Sequence, residues 1–89
     1  MNQVDYDRIS ETLKALAHPV RFRITAGILK NECCVGEIQN SVRLPQSTVS
    51  QHLGKLKSAG IIKERKDGTR RCYRVIDKQA KHIIRAIEG

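Results

Sequence analysis

The chain has 89 residues, with 17 Lys/Arg against 9 Asp/Glu and a formal net charge of +8. This length holds one domain and buries only about 60–65% of its unfolded surface, so a partner subunit would supply a second core. No apolar run approaches the ~18 residues of a membrane span, and the polar start, Met1 to Arg8, lacks a signal-peptide apolar region, which predicts a cytoplasmic protein with no membrane partner.

Residues 4–17 read as a first helix, with Ile9, Leu13, Leu16 and Ala17 at helical spacing and Asp5 and Asp7 in a first turn that favours acids. His18 stands near the cap position and Pro19 in the first turn of a second helix over 20–30, whose apolar side is Phe22, Ile24, Ile28 and Leu29. Arg21 and Arg23 lie among these and are expected to pair with acids such as Glu37. A short third helix over 35–41 carries Val35, Ile38 and Val42 at helical spacing, and a turn over 43–45 leads to a fourth helix over 44–56.

The fourth helix organises the rest. At 100° per residue it gathers Val49, Leu53 and Leu56 into an apolar stripe and sets Ser47, Gln51, Gly54 and Ser58 opposite, flanked by Thr48, Ser50 and Lys55. With Gln46 at its start, this face offers hydroxyls, amides and one cation, the groups that read base edges and phosphates. Helix, short turn and polar-faced helix make the helix-turn-helix plan. The turn has no glycine and Leu44 is a poor cap, so an alternative start lies one turn later, with Thr48 and Gln51 as a capping box. His52, at the edge of the stripe, is expected to pack at its rim rather than to read bases.

Gly60 stops this helix. Segments 61–66 and 71–76 flank Asp67-Gly68-Thr69-Arg70, a hairpin signal, and Lys66, Arg70 and Arg71 make its tip basic. Such a hairpin is a wing placed to touch phosphate. A last helix over 78–88 lines up Ala80, Ile83, Ile84 and Ile87; with so thin a core its stripe is expected to meet a partner. The fold class is therefore mainly α with a small β-hairpin, a winged helix-turn-helix in the order α-α-α-α-β-β-α. The span from Arg43 to Lys81 holds eleven Lys/Arg against Glu64, Asp67 and Asp77, whereas the remainder is balanced. All the excess positive charge thus lies from the turn before the fourth helix onward, as a footprint for double-stranded DNA requires.

The stretch Leu-Ala-His-Pro-Val-Arg-Phe-Arg-Ile at 16–24, Cys34-Val35-Gly36-Glu37-Ile38, and Gln-Ser-Thr-Val-Ser-Gln-His-Leu at 46–53 resemble the ArsR/SmtB family of bacterial winged-helix repressors over nearly the whole chain. The resemblance implies a homodimer joined through the first and last helices, which places Ile9, Leu13, Ile83, Ile84 and Ile87 at the interface, and repression at an inverted-repeat operator until an inducer releases it. Residues 44–53 also resemble PagR-type members, which repress without a known metal site. Family sensor sites map poorly. The third-helix thiolate site is Cys-Val-Cys, whereas Cys34-Val35 is followed by Gly36. In the last-helix site Asp77 fits, but Gln79 stands where a His belongs and the second ligand pair has no counterpart. The persulfide pattern needs a cysteine on the last helix, which has none.

Three readings of Cys33, Cys34 and Cys72 stay open. They are inert thiols, or a thiol switch at Cys34, or a soft-metal site in which Cys34 recruits Cys72 or a group from another protomer. In a reducing compartment they are not a disulfide framework. No cofactor is certain, and a regulator without an inducer, controlled by abundance or a protein partner, is the alternative. Outside this class, an RNA-binding module would want stacked aromatics, and Tyr6, Phe22 and Tyr73 are scattered. An enzyme is not expected, because three dispersed histidines form no catalytic group.

Overall fold

A computed structural model describes residues 3–31 and 34–89. Helix α1 (Tyr6–Leu16) begins where the Asp5 carboxylate accepts the Arg8 backbone N–H at 3.1 Å. Asp5 is thus the cap itself, and the helix starts two residues later than periodicity suggests. Helix α2 (Pro19–Asn31) opens on proline, whose missing N–H costs nothing there, and the ring nitrogen Nδ1 of His18 accepts the Val20 N–H at 3.1 Å. Helix α3 (Val35–Val42) is started by Glu37, whose carboxylate turns back to accept the Cys34 N–H at 3.2 Å.

The turn after α3 solves its missing-glycine problem by strain. Arg43 adopts the left-handed conformation at φ 56° and ψ 45°, and its N–H closes on the Gln39 carbonyl at 2.8 Å. Helix α4 (Gln46–Ser58) then starts from Pro45, whose carbonyl accepts the N–H groups of Thr48 at 3.0 Å and Val49 at 3.1 Å. Thr48 is therefore inside the first turn. The later start with Thr48 and Gln51 as a capping box is overturned, because Pro45 and not Leu44 is the cap residue, with extended backbone at φ −57° and ψ 147° and no side-chain cap needed.

Past Gly60, at φ 75°, strands β1 (Ile62–Asp67) and β2 (Arg70–Val75) pair antiparallel from Ile62↔Val75 to Asp67↔Arg70. The loop is two residues, Gly68 and Thr69, with glycine taking φ 66° at the first position, where a tight hairpin turn needs a positive value. Helix α5 (Lys78–Glu88) is capped by Asp77, whose Oδ2 accepts the Ala80 N–H at 2.9 Å.

The core gathers where these elements meet. Val49, Leu53 and Leu56 are at most 2% exposed and pack with Ile24 and Ile28 of α2, Ile38 of α3, Ile61 and Ile62, Tyr73 and Val75 of β2, and Ala80 of α5. Two expectations change here. Ile84 is buried inside its own protomer, because α5 turns Ala80 and Ile84 inward against α1 and α2, so it is a core residue and not part of an outer face. Arg21 does not meet Glu37; its Nε donates to the Ala15 carbonyl at 2.6 Å, joining α1 to α2, while Glu37 lies beside Arg70.

A left-handed non-glycine residue costs about 1–2 kcal/mol, part of which glycine regains. Arg43→Gly should therefore stabilise the fold by about 0.5–1 kcal/mol, read as a rise of roughly 3–6 °C in Tm by thermal melting.

Candidate nucleic-acid interface

With the stripe of α4 buried, its other face is fixed outward. Gln46, Ser47, Ser50, Gln51 and Lys55 are exposed and Thr48 is half-buried. The structure divides them. Gln46 and Ser50 line a groove of about 670 Å³ with Asn40 of α3 and Thr69, Arg70 and Arg71 of the hairpin. Gln51 and Lys55 line a separate recess with Gly54 and Ser58, walled by Glu11 and Lys14 of α1 and Arg21 of α2. The polar face of α4 is thus flanked by arginine on both sides.

The hairpin concentrates charge at a cost. Lys66 faces Arg71 across the ladder, and Lys63 faces Arg74; like charges directly opposite one another destabilise a sheet and are relieved by an anion. Glu64 partly offsets this. Its Oε1 accepts Lys57 Nζ of α4 at 3.0 Å and its Oε2 lies 3.6 Å from Arg71 Nε. The Lys57 hydrogen bond, then the charges of Lys57 and Arg71, hold this carboxyl below the usual glutamate range. One carboxylate therefore fastens the hairpin to the end of α4. Arg70 is held more loosely, 3.8 Å from Glu37.

His52 packs at the rim, its ring 4.6 Å from that of His18, in keeping with a packing role. Among the described residues its Nδ1 is buried without a hydrogen-bond partner. Burial first, then the charges of His18, Arg21 and Lys55, push this imidazole below the ordinary histidine range.

Of the cysteines, Cys33 lies outside the described residues. Cys34 and Cys72 come together: both are buried, their sulfurs are in hydrogen-bond contact at 2.6 Å, and their backbones form an antiparallel bridge. The hydrogen bond with Cys72, then burial, pushes the Cys34 thiol up to about 11. Among the described residues no group of three or more His, Cys, Asp or Glu side chains is placed to hold a metal ion.

The outer apolar residues lie on the terminal helices. Leu13 is 48% and Ile87 67% exposed, and Ile9 and Ile83 are half-buried, on two helices that pack against each other. Sequence reasoning missed Asn40, Thr69 and the recess role of Arg21. Asn40 carried a signal, since it lies off the Ile38 stripe of α3; Arg21 carried none, because its position beside α4 is a tertiary fact.

Three helices, a polar-faced fourth and a basic hairpin beside it define a winged helix-turn-helix DNA-binding fold. The model of the bacterial regulatory proteins of the arsR family matches residues 18–64. The chain belongs to that family of transcriptional regulators. It is 38% identical over 78 residues to the transcriptional repressor SmtB of Mycobacterium tuberculosis, an alignment that takes in 88% of this chain and 58% of that one. The structure of the transcriptional repressor PagR of Bacillus anthracis superposes with a TM-score of 0.84 at 32% identity, over 92% of this chain and 94% of that chain. A homodimeric winged helix-turn-helix DNA-binding domain from Mycobacterium bovis does so with a TM-score of 0.83 at 27% identity, over 98% of this chain and 85% of that chain. No helix among the described residues is long and apolar enough to cross a membrane.

Two outcomes follow from the charges. Glu37→Gln keeps an acceptor oxygen for the Cys34 N–H that starts α3 but frees Arg70, so duplex DNA should bind roughly two- to fivefold tighter in a fluorescence titration, the size of an exposed ion pair. For His52 the sign is that of a base with a depressed folded value: the unfolded chain takes up the proton first. Stability should decline as pH falls below about 6.5, and denaturant melts of His52→Gln should show a shallower decline than wild type.

Proposed function

We propose that this protein is a homodimeric repressor that binds an inverted-repeat operator in double-stranded DNA, with α4 in the major groove and the hairpin on the flanking phosphates. The observation that carries the reading is the exposed hydroxyl and amide face of α4, with the one cation Lys55, set between two arginine-bearing walls. Gln51 is the base reader, because an amide can pair twice with an adenine edge. Lys66, Arg70 and Arg71 hold phosphate, and Lys55 adds a cation beside the reader. Exposed Leu13 and Ile87 on packed terminal helices support a dimer, as does the homodimeric relative in fold. The protein works in the cytoplasm and has no catalytic step. An RNA-binding role has little to stand on: of the three aromatic side chains Tyr73 is buried, Phe22 half-buried and only Tyr6 exposed.

Two reading helices related by a two-fold axis require half-sites about one helical turn, ~34–36 Å, apart. Selection from random duplexes should return such an inverted repeat, and sedimentation should find a dimer; a monomer in solution and on DNA at micromolar concentration would sink the proposal. Gln51→Ala should cost roughly 1–3 kcal/mol of discrimination between the selected and a random duplex. Arg70→Ala with Arg71→Ala should instead weaken both duplexes and lower the salt slope by about one unit for each phosphate no longer held. If Gln51→Ala weakened both duplexes equally, the base reader would have to be sought elsewhere on α4.

A further inference from the structure

We propose that Cys34 and Cys72 are a modification site at which a hydroperoxide forms a disulfide within one protomer, fastening the hairpin to the start of α3 while α4 keeps its place. Three observations converge on it. The two thiols touch at 2.6 Å. Their backbones are bridged antiparallel, an arrangement that sets Cα atoms about 4.5–5.5 Å apart, inside the range a disulfide spans. Cys34 also lines the groove between α3, α4 and the hairpin, which gives a small oxidant a way in although both residues are less than 10% exposed.

The chemistry balances with one oxidant. The Cys34 thiolate attacks the outer oxygen of the hydroperoxide; an S–O bond forms, the O–O bond breaks, and the departing alkoxide or hydroxide takes a proton. The Cys72 sulfur then attacks the Cys34 sulfenic acid, an S–S bond replaces the S–O bond, and hydroxide leaves with the Cys72 proton as water. Two electrons pass from the thiols to the peroxide. Arg70, in the same groove, offers its cation to the leaving oxygen and lowers the Cys34 thiol somewhat against the stronger upward effect of Cys72. Thiolate remains scarce near neutral pH, so the pair answers sustained rather than brief exposure. Because the backbones are already bridged, closure needs little movement and is a staple rather than a release. Its effect on DNA rests on the proposed DNA-binding function; the disulfide itself does not.

The test uses the full chain, reduced and then treated with hydrogen peroxide. Expected are the loss of two hydrogens per chain in the intact mass, a non-reducing peptide map joining Cys34 to Cys72, retention of that link in Cys33→Ser and its loss in Cys72→Ser. Closing a loop of this length should raise Tm by on the order of 10 °C, and affinity for a random duplex at fixed salt should stay within about threefold. Unchanged free thiols in wild type, a link joining two protomers, or a tenfold fall in affinity on oxidation would each overturn the proposal. A link formed in a protein that binds no DNA in either redox state would uphold the modification and overturn the DNA-binding reading instead.

Discussion

Burial of Val49, Leu53 and Leu56 sets the rotation of α4 about its axis, and everything exposed on that helix follows from it. All three are at most 2% exposed and belong to one core cluster with residues of α2, α3, the hairpin and α5. A rotation by one residue, 100°, would bring Ser50, Gly54 and Lys57 inward, or in the other sense Thr48, His52 and Lys55, and would turn Leu53 away from the core. Removing one such side chain from a core this small costs several kcal/mol, a large fraction of the whole stability. The outward display of Ser47, Gln51 and Lys55 is thus specified by the opposite side of the helix.

Electrostatics then tune a surface that packing has placed. The like-charged pairs across the hairpin and the loosely held Arg70 leave positive charge uncompensated in the free protein, available to an anionic backbone. Glu64 works in the other direction: it commits Lys57 and Arg71 to keeping the hairpin beside α4. The surface therefore combines a hairpin anchored through Glu64 with Arg70, nearer the tip, held only by an exposed 3.8 Å pair with Glu37.

Most of the architecture was legible in the sequence because it follows local rules. Period and turn chemistry located all five helices and both strands to within about two residues, and Asp67-Gly68 announced the hairpin. The errors have a common origin in information that local rules lack. The later start of α4 rested on cap chemistry at Thr48, whereas Pro45 set the start through its backbone. Ile84 was assigned outward because a stripe on a terminal helix does not say which part of it the rest of the chain covers. Arg21 was given to Glu37 on charge alone, while a carbonyl of α1 took it. The meeting of Cys34 with Cys72, 38 residues apart in sequence, was one of the alternatives left open for these cysteines, and only the way the hairpin folds back beside α3 selects it.

Asp77 touches three parts of the molecule at once. Its carboxylate starts α5 and reaches Arg8 of α1 at 3.4 Å, and its N–H and that of Ile76 both point to the carbonyl of Ile61 at the root of the hairpin. The two terminal helices and the hairpin therefore share a single hinge pin. The α1–α5 pair and the base of the hairpin are thus held to one another through a single buried carboxylate and its backbone N–H. Loss of this one side chain would therefore loosen both terminal helices and the root of the hairpin together, where loss of any other cap described above would loosen a single helix.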